Sequence, residues 1–219
     1  MRTKKQKLKG IIVWDFDRVL FDTDRMVDDN NEIFAKYDIS PELIRSILDK
    51  ANIQEGPFSW ALLVRRLKNK KKGVPLNSIK REMQSNLLSG RYVRSEASKV
   101  LKNLKSNGFA NMLLSFGSPP YQYQKIKKGC GPQFCRYFDE TAVTLGKKYL
   151  KFRSLVKKFS NIPIFFIDDT NEHLAMVKKH TPSVHTLQYS AQSPLGAVEE
   201  WIHEQVQRYD SSGNHSARG

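Results

Sequence analysis

The sequence predicts an α/β fold: a doubly wound parallel sheet to which a small all-helical subdomain is attached. Three short runs are almost entirely apolar and do not alternate with polar residues, which is typical of parallel strands covered on both faces by helices. These runs are Ile11–Trp14, Asn111–Ser115 and Ile162–Ile167. Segments with the apolar period of an α-helix lie between and after them, so helices and strands alternate as in doubly wound sheets.

Two more strands and four helices complete the predicted core. In the clearest helix, apolar residues recur at i, i+3, i+4 and i+7 from Ala97 to Leu104. Ser95 is placed to cap the start of this helix and Gly108 its end. The other helices are expected at Leu150–Phe159, Glu172–Lys179 and Ala197–Val206. The further strands are expected at Glu140–Leu145 and Val184–Tyr189.

The segment 25–90 interrupts this alternation, because it contains no convincing strand and indicates four helical stretches. Ser40-Pro41 is a typical helix start, since the hydroxyl caps the helix and proline occupies its first position. Gly56-Pro57 and Gly73-Val74-Pro75 separate other helices. The predicted domains are a discontinuous core of residues 1–24 and 91–209, a helical subdomain at 25–90 over the sheet, and a frayed tail at 210–219.

Composition limits the class of protein. The 219 residues include 37 lysines and arginines against 22 acidic residues, a formal net charge of +15, and 39% are hydrophobic. This apolar content supports a folded core, and no apolar run reaches the roughly 18–20 residues of a membrane span. The basic N-terminus is followed by only the short run Ile11–Trp14, too short for a signal peptide. We therefore expect a soluble, cytoplasmic protein with no membrane partner.

The positive charge is concentrated at the N-terminus and at Arg65–Lys72. A basic surface attracts polyanions and phosphorylated metabolites. Such clusters are more often solvated helix ends or terminal arms than nucleic-acid sites, and the sequence has no RNA-binding or zinc-finger motif. Cys130 and Cys135 are interpreted as reduced cysteines in a loop, since structural zinc takes four ligands. For His173, packing or surface exposure is the simpler interpretation.

Two pairs of carboxylates follow predicted strands. Asp15 and Asp17 come directly after the first strand, and Asp168 and Asp169 close the strand Ile162–Ile167. The carboxyl ends of parallel strands meet at the crevice where open α/β sheets bind ligands. Like charges this close repel one another unless a cation or hydrogen-bond donors offset them. Oxygen ligands alone favour a hard cation, and Mg²⁺ fits best.

Four short motifs follow one another along Gly10–Thr170, each at a predicted strand end or helix start. They are Asp15-x-Asp17-x-Val19-Leu20, Leu113-Leu114-Ser115, the lysine of Gly146-Lys147-Lys148, and Ile167-Asp168-Asp169. In this order they resemble the motifs of the haloacid dehalogenase (HAD) superfamily of phosphotransferases, and the set is far more specific than a single Asp-x-Asp. The helical segment 25–90 falls where members of this family commonly carry a cap.

The resemblance implies phosphoryl transfer with defined roles for these side chains. Asp15 would attack phosphorus and form an aspartyl phosphate, which splits one difficult displacement into two. Asp17 would protonate the leaving oxygen and then activate water. Ser115 would donate a hydrogen bond to a phosphoryl oxygen, and Lys148 would balance charge in the transition state.

The resemblance also implies bound Mg²⁺, because a carboxylate nucleophile needs a metal to screen its repulsion from the phosphoryl group. The ion would be held by the Asp15 carboxylate, the Asp17 main-chain carbonyl and Asp168. Asp169 or Glu172 would complete this set, directly or through water.

Two positions stay open at this level. The active-site lysine is Lys147, Lys148 or Lys151, and we prefer Lys148. Arg18 stands where the family commonly has glycine. A large cation there would aid phosphate binding, crowd the loop or face solvent, and the sequence does not decide among these.

The predicted function is that of a Mg²⁺-dependent phosphohydrolase (phosphatase) acting on a small phosphomonoester. Asp17 favours a phosphatase over a dehalogenase, because carbon–halogen cleavage in the family does without an acid at that position. The substrate is left open among nucleotides, sugar phosphates and phosphorylated small acids, and the basic surface favours a nucleotide. Two alternatives remain: a phosphomutase that shares the covalent step, and a HAD-like scaffold with little or no turnover that binds nucleic acid or another polyanion.

Overall fold

The computed structural model describes residues 8–54 and 58–213, and its five strands form one parallel sheet in the order β3-β2-β1-β4-β5. The doubly wound α/β fold and all five predicted strands are confirmed. The strands are β1 (Gly10–Trp14), β2 (Phe109–Phe116), β3 (Glu140–Thr144), β4 (Ile164–Asp168) and β5 (His185–Gln188).

Helices cover both faces of the sheet and fill the segment between β1 and β2. Among the described residues, no helix is both long enough and apolar enough to cross a membrane. The helices are α1 (Thr23–Ala35), α2 (Pro41–Gln54), α3 (Trp60–Lys70), α4 (Leu76–Ser89), α5 (Ala97–Ser106), α6 (Pro119–Gln124), α7 (Gly131–Cys135), α8 (Tyr149–Lys158), α9 (Asn171–His180) and α10 (Leu195–Gly213).

The central strand β1 is buried on both faces, which explains why its sequence is apolar without alternation. Ile12 and Trp14 pack in one cluster with residues of α5 and α10, and Ile11 and Val13 pack in another with residues of α8 and α9. Asn111 is the polar residue in the matching part of β2. It is fully buried, but its side chain accepts a hydrogen bond from Trp14 Nε1 (3.0 Å) and donates to a carbonyl of α5 (2.9 Å).

Helices α1–α4 occupy the segment for which four helical stretches were predicted. They share an apolar core of their own, which includes Phe34, Ile44 and Met83. Met26 of α1 and Leu87 of α4 pack instead into the core of the sheet. The first and last of the four helices therefore attach the segment to the sheet.

The predicted helix punctuation is largely observed in this segment. Ser40 Oγ accepts a hydrogen bond from the N–H of Leu43 (3.2 Å) at the start of α2, and Gly73-Val74-Pro75 separates α3 from α4. Gly56-Pro57 lies outside the described residues, as does the basic N-terminal segment 1–7.

Two helix ends differ from the prediction. Helix α5 is preceded by Glu96 rather than Ser95. The Glu96 carboxylate does not cap α5 but accepts the N–H of Leu195 (2.8 Å) at the start of α10. Gly108 has a φ of +90° after this helix, as predicted for a helix-ending glycine. Helix α10 continues to Gly213, so the predicted tail is helical at 210–213, and residues 214–219 lie outside the described residues.

The segment between β2 and β3 is largely helical, where a loop had been expected around the cysteines. It contains α6, a π-helical turn at Lys125–Gly129 and α7. Cys130 precedes α7 and Cys135 is its last residue, and both are free, half-buried thiols. Burial raises the pKa of both thiols.

Candidate active site

The register of the sheet brings two carboxylates to one edge. Trp14 of β1 pairs with Leu113 of β2 and with Ile167 of β4. Asp15 follows Trp14, and Asp168 follows Ile167, so both lie at the same level in neighbouring strands. Both carboxylates are buried. Their placement agrees with the expectation that acids at parallel strand ends converge.

A buried lysine joins these two carboxylates. Lys148 Nζ donates to Asp15 Oδ1 and to Asp168 Oδ2, each at 2.7 Å, and the residue is 4% exposed. Burial disfavours the charged ammonium, but the two carboxylates outweigh this effect and raise the pKa of Lys148. Lys147 is exposed, and Lys151 forms an ion pair with Glu140. Lys148 is therefore the lysine that lies in the site.

Asp15 and Asp168 share Lys148 but differ in protonation behaviour. Burial raises the pKa of Asp15 to about 7, against the opposing effect of Lys148. Burial also acts to raise the pKa of Asp168, but contact with His173 (3.2 Å) and Lys148 and a hydrogen bond from the Thr170 N–H (2.8 Å) lower it. The extra donors around Asp168 thus leave Asp15 as the carboxylate that more readily holds a proton.

Three carboxylates are arranged so that they could hold a metal ion. One oxygen from each of Asp15, Asp168 and Asp169 lies within 4.8 Å of the others. An all-oxygen, anionic donor set suits a hard divalent cation. The Asp17 carboxylate is outside this group, and Glu172 is exposed in the first turn of α9. Burial and the charge of Asp168 raise the pKa of Asp169, as expected for acids that lie close together.

Ser115 provides a buried hydroxyl without a partner. It lies in β2, next to the central strand, and is completely buried. Among the described residues, its Oγ finds no hydrogen-bond partner. A buried hydroxyl of this kind is costly unless something accepts or donates to it. The hydroxyl is therefore available to a ligand at the strand ends.

The Asp17 carboxylate is held by three side chains. It accepts hydrogen bonds from Thr23 Oγ1 (2.5 Å), Gln122 Nε2 (2.8 Å) and Lys125 Nζ. Burial acts to raise the pKa of Asp17, but the Lys125 charge and these hydrogen bonds outweigh it and lower the pKa. Asp17 is therefore a carboxylate anion at neutral pH. To protonate a leaving oxygen, the Asp17 carboxyl must first take up a proton.

Lys125 is a site residue that sequence reasoning missed. It lies in the π-helical turn after α6, is 2% exposed, and its ammonium lies 4.9 Å from the ring centre of Phe21 and 5.4 Å from that of Phe16. Aromatic faces and one carboxylate thus replace the water around this cation. In the sequence Lys125 begins a basic stretch that gives no signal of burial.

Sequence reasoning also missed Gln122, although Gly117 indicates that a side chain packs closely against the backbone there. Gly117, directly after β2, has a φ of +150°, and a Cβ there would lie 2.7 Å from the Gln122 side chain. Gln122 Nε2 donates to the carbonyl of Phe116 (3.0 Å) as well as to Asp17. Glycine at 117 therefore lets this amide reach the Asp17 carboxylate.

Arg18 adopts a left-handed backbone conformation, with a φ of +61°. This conformation is easiest for glycine, the residue that the resemblance described above leads one to expect at this position. The Arg18 side chain is half exposed and donates to Asp24 (2.9 Å), and its nearest contact with Asp169 is 3.9 Å. Of the three roles considered for Arg18, the structure favours a solvent-facing side chain at the rim of the site.

Comparison with known proteins identifies the fold. No protein-family model matches the sequence, and no curated protein matches it significantly. Solved structures do match. A haloacid dehalogenase-like hydrolase from Burkholderia xenovorans is 17% identical with a TM-score of 0.65, over 83% of this chain and 84% of that chain.

Two further structures show the same likeness. A HAD-family enzyme from Bacteroides thetaiotaomicron, solved with magnesium and inorganic phosphate, is 14% identical with a TM-score of 0.53, over 86% of this chain and 98% of that chain. A protein described as a β-phosphoglucomutase from Thermotoga maritima is 14% identical with a TM-score of 0.56, over 87% of this chain and 90% of that chain. The chain therefore has the fold of the haloacid dehalogenase-like hydrolases.

Proposed function

We propose that the chain is a Mg²⁺-dependent phosphohydrolase of the HAD type that acts on a small phosphomonoester. The observation that carries the proposal is the contact of Lys148 with both Asp15 and Asp168, at the same sheet edge as the unpartnered Ser115 hydroxyl. A carboxylate nucleophile and a phosphoryl group repel one another, and this cluster supplies a buried cation to offset that repulsion.

Mg²⁺ is the metal proposed for this site. Asp15, Asp168 and Asp169 would hold it, because their oxygens lie within 4.8 Å of one another and Mg²⁺ prefers oxygen ligands. When bound, the ion would withdraw charge from the phosphoryl oxygens. The Asp17 main-chain carbonyl remains the proposed additional ligand. The Bacteroides structure solved with magnesium and phosphate supports this choice of ion.

Asp15 is the nucleophile in this proposal. Its carboxylate oxygen attacks phosphorus, the bond from phosphorus to the leaving oxygen breaks, and an aspartyl phosphate results. Water then attacks phosphorus and restores the Asp15 carboxylate. Lys148 favours the ionised form of Asp15 and offsets the charge that develops. Ser115 donates its free hydroxyl to a phosphoryl oxygen.

Asp17 and Lys125 are proposed to move the protons. Asp17 begins as a carboxylate, which is the form that takes a proton from the attacking water in the second step. In the first step the leaving oxygen needs a proton, and the Lys125 ammonium is the donor in contact with Asp17. A proton passes from Lys125 to Asp17 and from Asp17 to the leaving oxygen. The proton that Asp17 later takes from water returns to Lys125 and restores its ammonium.

Helices α1–α4 are proposed to form a cap over this site. They have an apolar core of their own, and side chains of α1 line the same cavity as Asp17. A cap excludes water and contacts the leaving group. The proposed domain boundaries stay at residues 25 and 90, with the sheet and its flanking helices as the core.

Release of inorganic phosphate tests the proposed function. We expect phenyl phosphate or another small phosphomonoester to release phosphate with Mg²⁺, to stop doing so with excess EDTA, and to recover when Mg²⁺ is added back. An isomerised substrate without free phosphate would indicate the phosphomutase. Absence of turnover across a panel of phosphomonoesters would contradict the enzyme. Binding of nucleic acid would then favour the scaffold alternative, which no similar structure reported above supports.

Mg²⁺ binding should strengthen as the pH rises through about 7. Asp15 has a pKa of about 7 without metal, so below that value the ion must displace a proton. Each pH unit below 7 should weaken the apparent affinity by about tenfold. At a fixed Mg²⁺ concentration, the Mg²⁺-induced increase in Tm should therefore be larger at pH 8 than at pH 6. Equal increases at the two pH values would contradict the role of Asp15 as a ligand.

A further inference from the structure

A cavity of about 620 Å³ extends from Asp17 into helices α1–α4. This volume is within the range of small-molecule sites. At the sheet end it is lined by Asp17, the proposed acid–base group, and by Thr23, Gln122 and Lys125, which hold the Asp17 carboxylate. A substrate whose phosphoryl group lies at Asp15 would therefore place its leaving group in this cavity.

The helical end of the cavity is apolar. Asn30 and Asn31 contribute the polar side chains of that end, and Asn30 Oδ1 already accepts a hydrogen bond from Asn86 (3.3 Å). The apolar lining residues come from several helices and from Phe58, two residues before α3. They include Phe34, Ile44, Leu48, Phe58, Leu63 and Met83.

The cations of the lining are already engaged. Among the described residues, the charged side chains that line the cavity are Asp17, Arg18 and Lys125. Lys125 is paired with Asp17, and Arg18 with Asp24. A second phosphate or a sugar acid would therefore enter the helical end without a free cation to meet it. Such desolvation of charge is strongly unfavourable.

Parts of the apolar lining are exposed to solvent. Val27 is 44% exposed and Phe116 is 41% exposed, and both line this cavity. Phe58, which also lines it, packs edge-on against Tyr121 with 4.6 Å between ring centres. Large apolar side chains exposed together around a cavity mark a place where a ligand covers them.

We infer that the substrate is a monophosphate ester whose leaving alcohol is apolar, an alkyl or aryl group, rather than a nucleotide or a sugar. This inference rests on the proposed function, because it assigns the leaving group to the cavity beside Asp17. It departs from the nucleotide preference that the basic surface suggested. In the basic cluster Arg65–Lys72, the side chains of Arg65, Lys68, Lys70 and Lys72 are exposed and do not line the cavity. The cavity that would contact the leaving group has an apolar wall.

A series of n-alkyl phosphates tests this inference, because the chemistry of the leaving oxygen stays nearly constant while the apolar area grows. We expect kcat/KM to rise about three- to fourfold per methylene group from ethyl to hexyl phosphate. Glycerol phosphate, ribose 5-phosphate and AMP should be poorer substrates than hexyl phosphate. A flat series, or a preference for AMP or ribose 5-phosphate, would overturn the inference while leaving phosphatase activity in place.

A matched pair of variants locates the effect in the cavity. Leu48→Asn places an amide in the apolar wall and should lower the ratio of hexyl to methyl phosphate turnover about tenfold. Leu88→Asn makes the same change at an exposed leucine of α4 outside the lining and should leave the ratio unchanged. If Leu48→Asn does not fold, Val27→Asn changes an exposed lining residue instead. An unchanged ratio in the folded lining variant would overturn the inference.

Binding separates failure of this inference from failure of the proposed function. The non-hydrolysable n-alkylphosphonates, titrated calorimetrically in the presence of Mg²⁺, should bind more tightly as the chain lengthens. If no phosphate ester is turned over, the proposed function fails. In that case tighter binding of longer phosphonates still supports a site for apolar monophosphates, and chain-length-independent binding rejects it.

Discussion

Replacing Asp15 by asparagine should reduce phosphate release at least about 10⁴-fold, because the amide cannot form the aspartyl phosphate that carries the reaction. The protein should still fold, because asparagine is nearly isosteric with aspartate. The change also removes a carboxyl group whose pKa burial already raises to about 7. Initial rates with Mg²⁺ and a small phosphomonoester measure the effect. Asp28→Asn makes the same change on the exposed face of α1 and should retain full activity.

A second measurement distinguishes loss of the nucleophile from loss of metal. Wild-type protein quenched during turnover should carry phosphate that hydroxylamine removes, as expected for an acyl phosphate, and Asp15→Asn should carry none. Asp169→Asn should weaken Mg²⁺ binding but still form the covalent species at high Mg²⁺. Hydrolysis by Asp15→Asn within tenfold of wild type would remove Asp15 as the nucleophile.

The residues at strand ends could be predicted because their position depends on only two features, the presence of a buried strand and its parallel pairing. An apolar run buried on both faces must be a central strand, and parallel strands place their carboxyl ends together. Asp15 and Asp168 follow two such runs, and the register of the sheet brings them level. The choice of Lys148 over Lys147 was harder, because both lysines precede α8, which begins at Tyr149. Only the contacts of Lys148 with Asp15 and Asp168 distinguish the two.

Lys125 could not be predicted because nothing local marks it, and Gly117 alone does not identify Gln122 as the side chain that reaches Asp17. Their roles depend on how α6 and the π-helical turn after it fold back over Asp17, a contact between residues more than 100 positions apart. In the sequence, a lysine that will be buried among aromatic rings and a carboxylate cannot be distinguished from a solvated lysine in a basic stretch.

Replacing Lys148 by methionine should have the second-largest effect, through both catalysis and stability. Methionine has a similar length but no charge, so Asp15 and Asp168 would face one another without the cation that now lies 2.7 Å from each. Loss of this charge should lower kcat about 10²- to 10³-fold. Removing one partner from a buried ionic cluster should also lower the free energy of unfolding by about 3–5 kcal/mol without Mg²⁺.

The pH dependence of this variant follows from the same charges. Without Lys148 the pKa of Asp15 rises further, because the Lys148 charge is the main effect that now opposes burial. A carboxyl whose pKa is higher in the folded than in the unfolded protein binds more protons when folded. It stabilises the fold below its unfolded pKa and loses that contribution as the pH rises through the folded pKa. Metal-free Lys148→Met should therefore be markedly less stable at pH 8 than at pH 5.

Adding Mg²⁺ to Lys148→Met distinguishes the effect of Lys148 on stability from its proposed role in catalysis. If the lysine acts mainly by offsetting the charge of Asp15 and Asp168, saturating Mg²⁺ should restore much of the stability at pH 8, because the ion would bind the same carboxylates. It should not restore kcat, since the proposed role of the lysine in the transition state requires an ammonium beside Asp15. Urea unfolding with and without Mg²⁺, together with kcat, measures both effects. Lys147→Met, an exposed neighbour, should change neither, and a Lys148→Met protein with normal kcat would remove Lys148 from the mechanism.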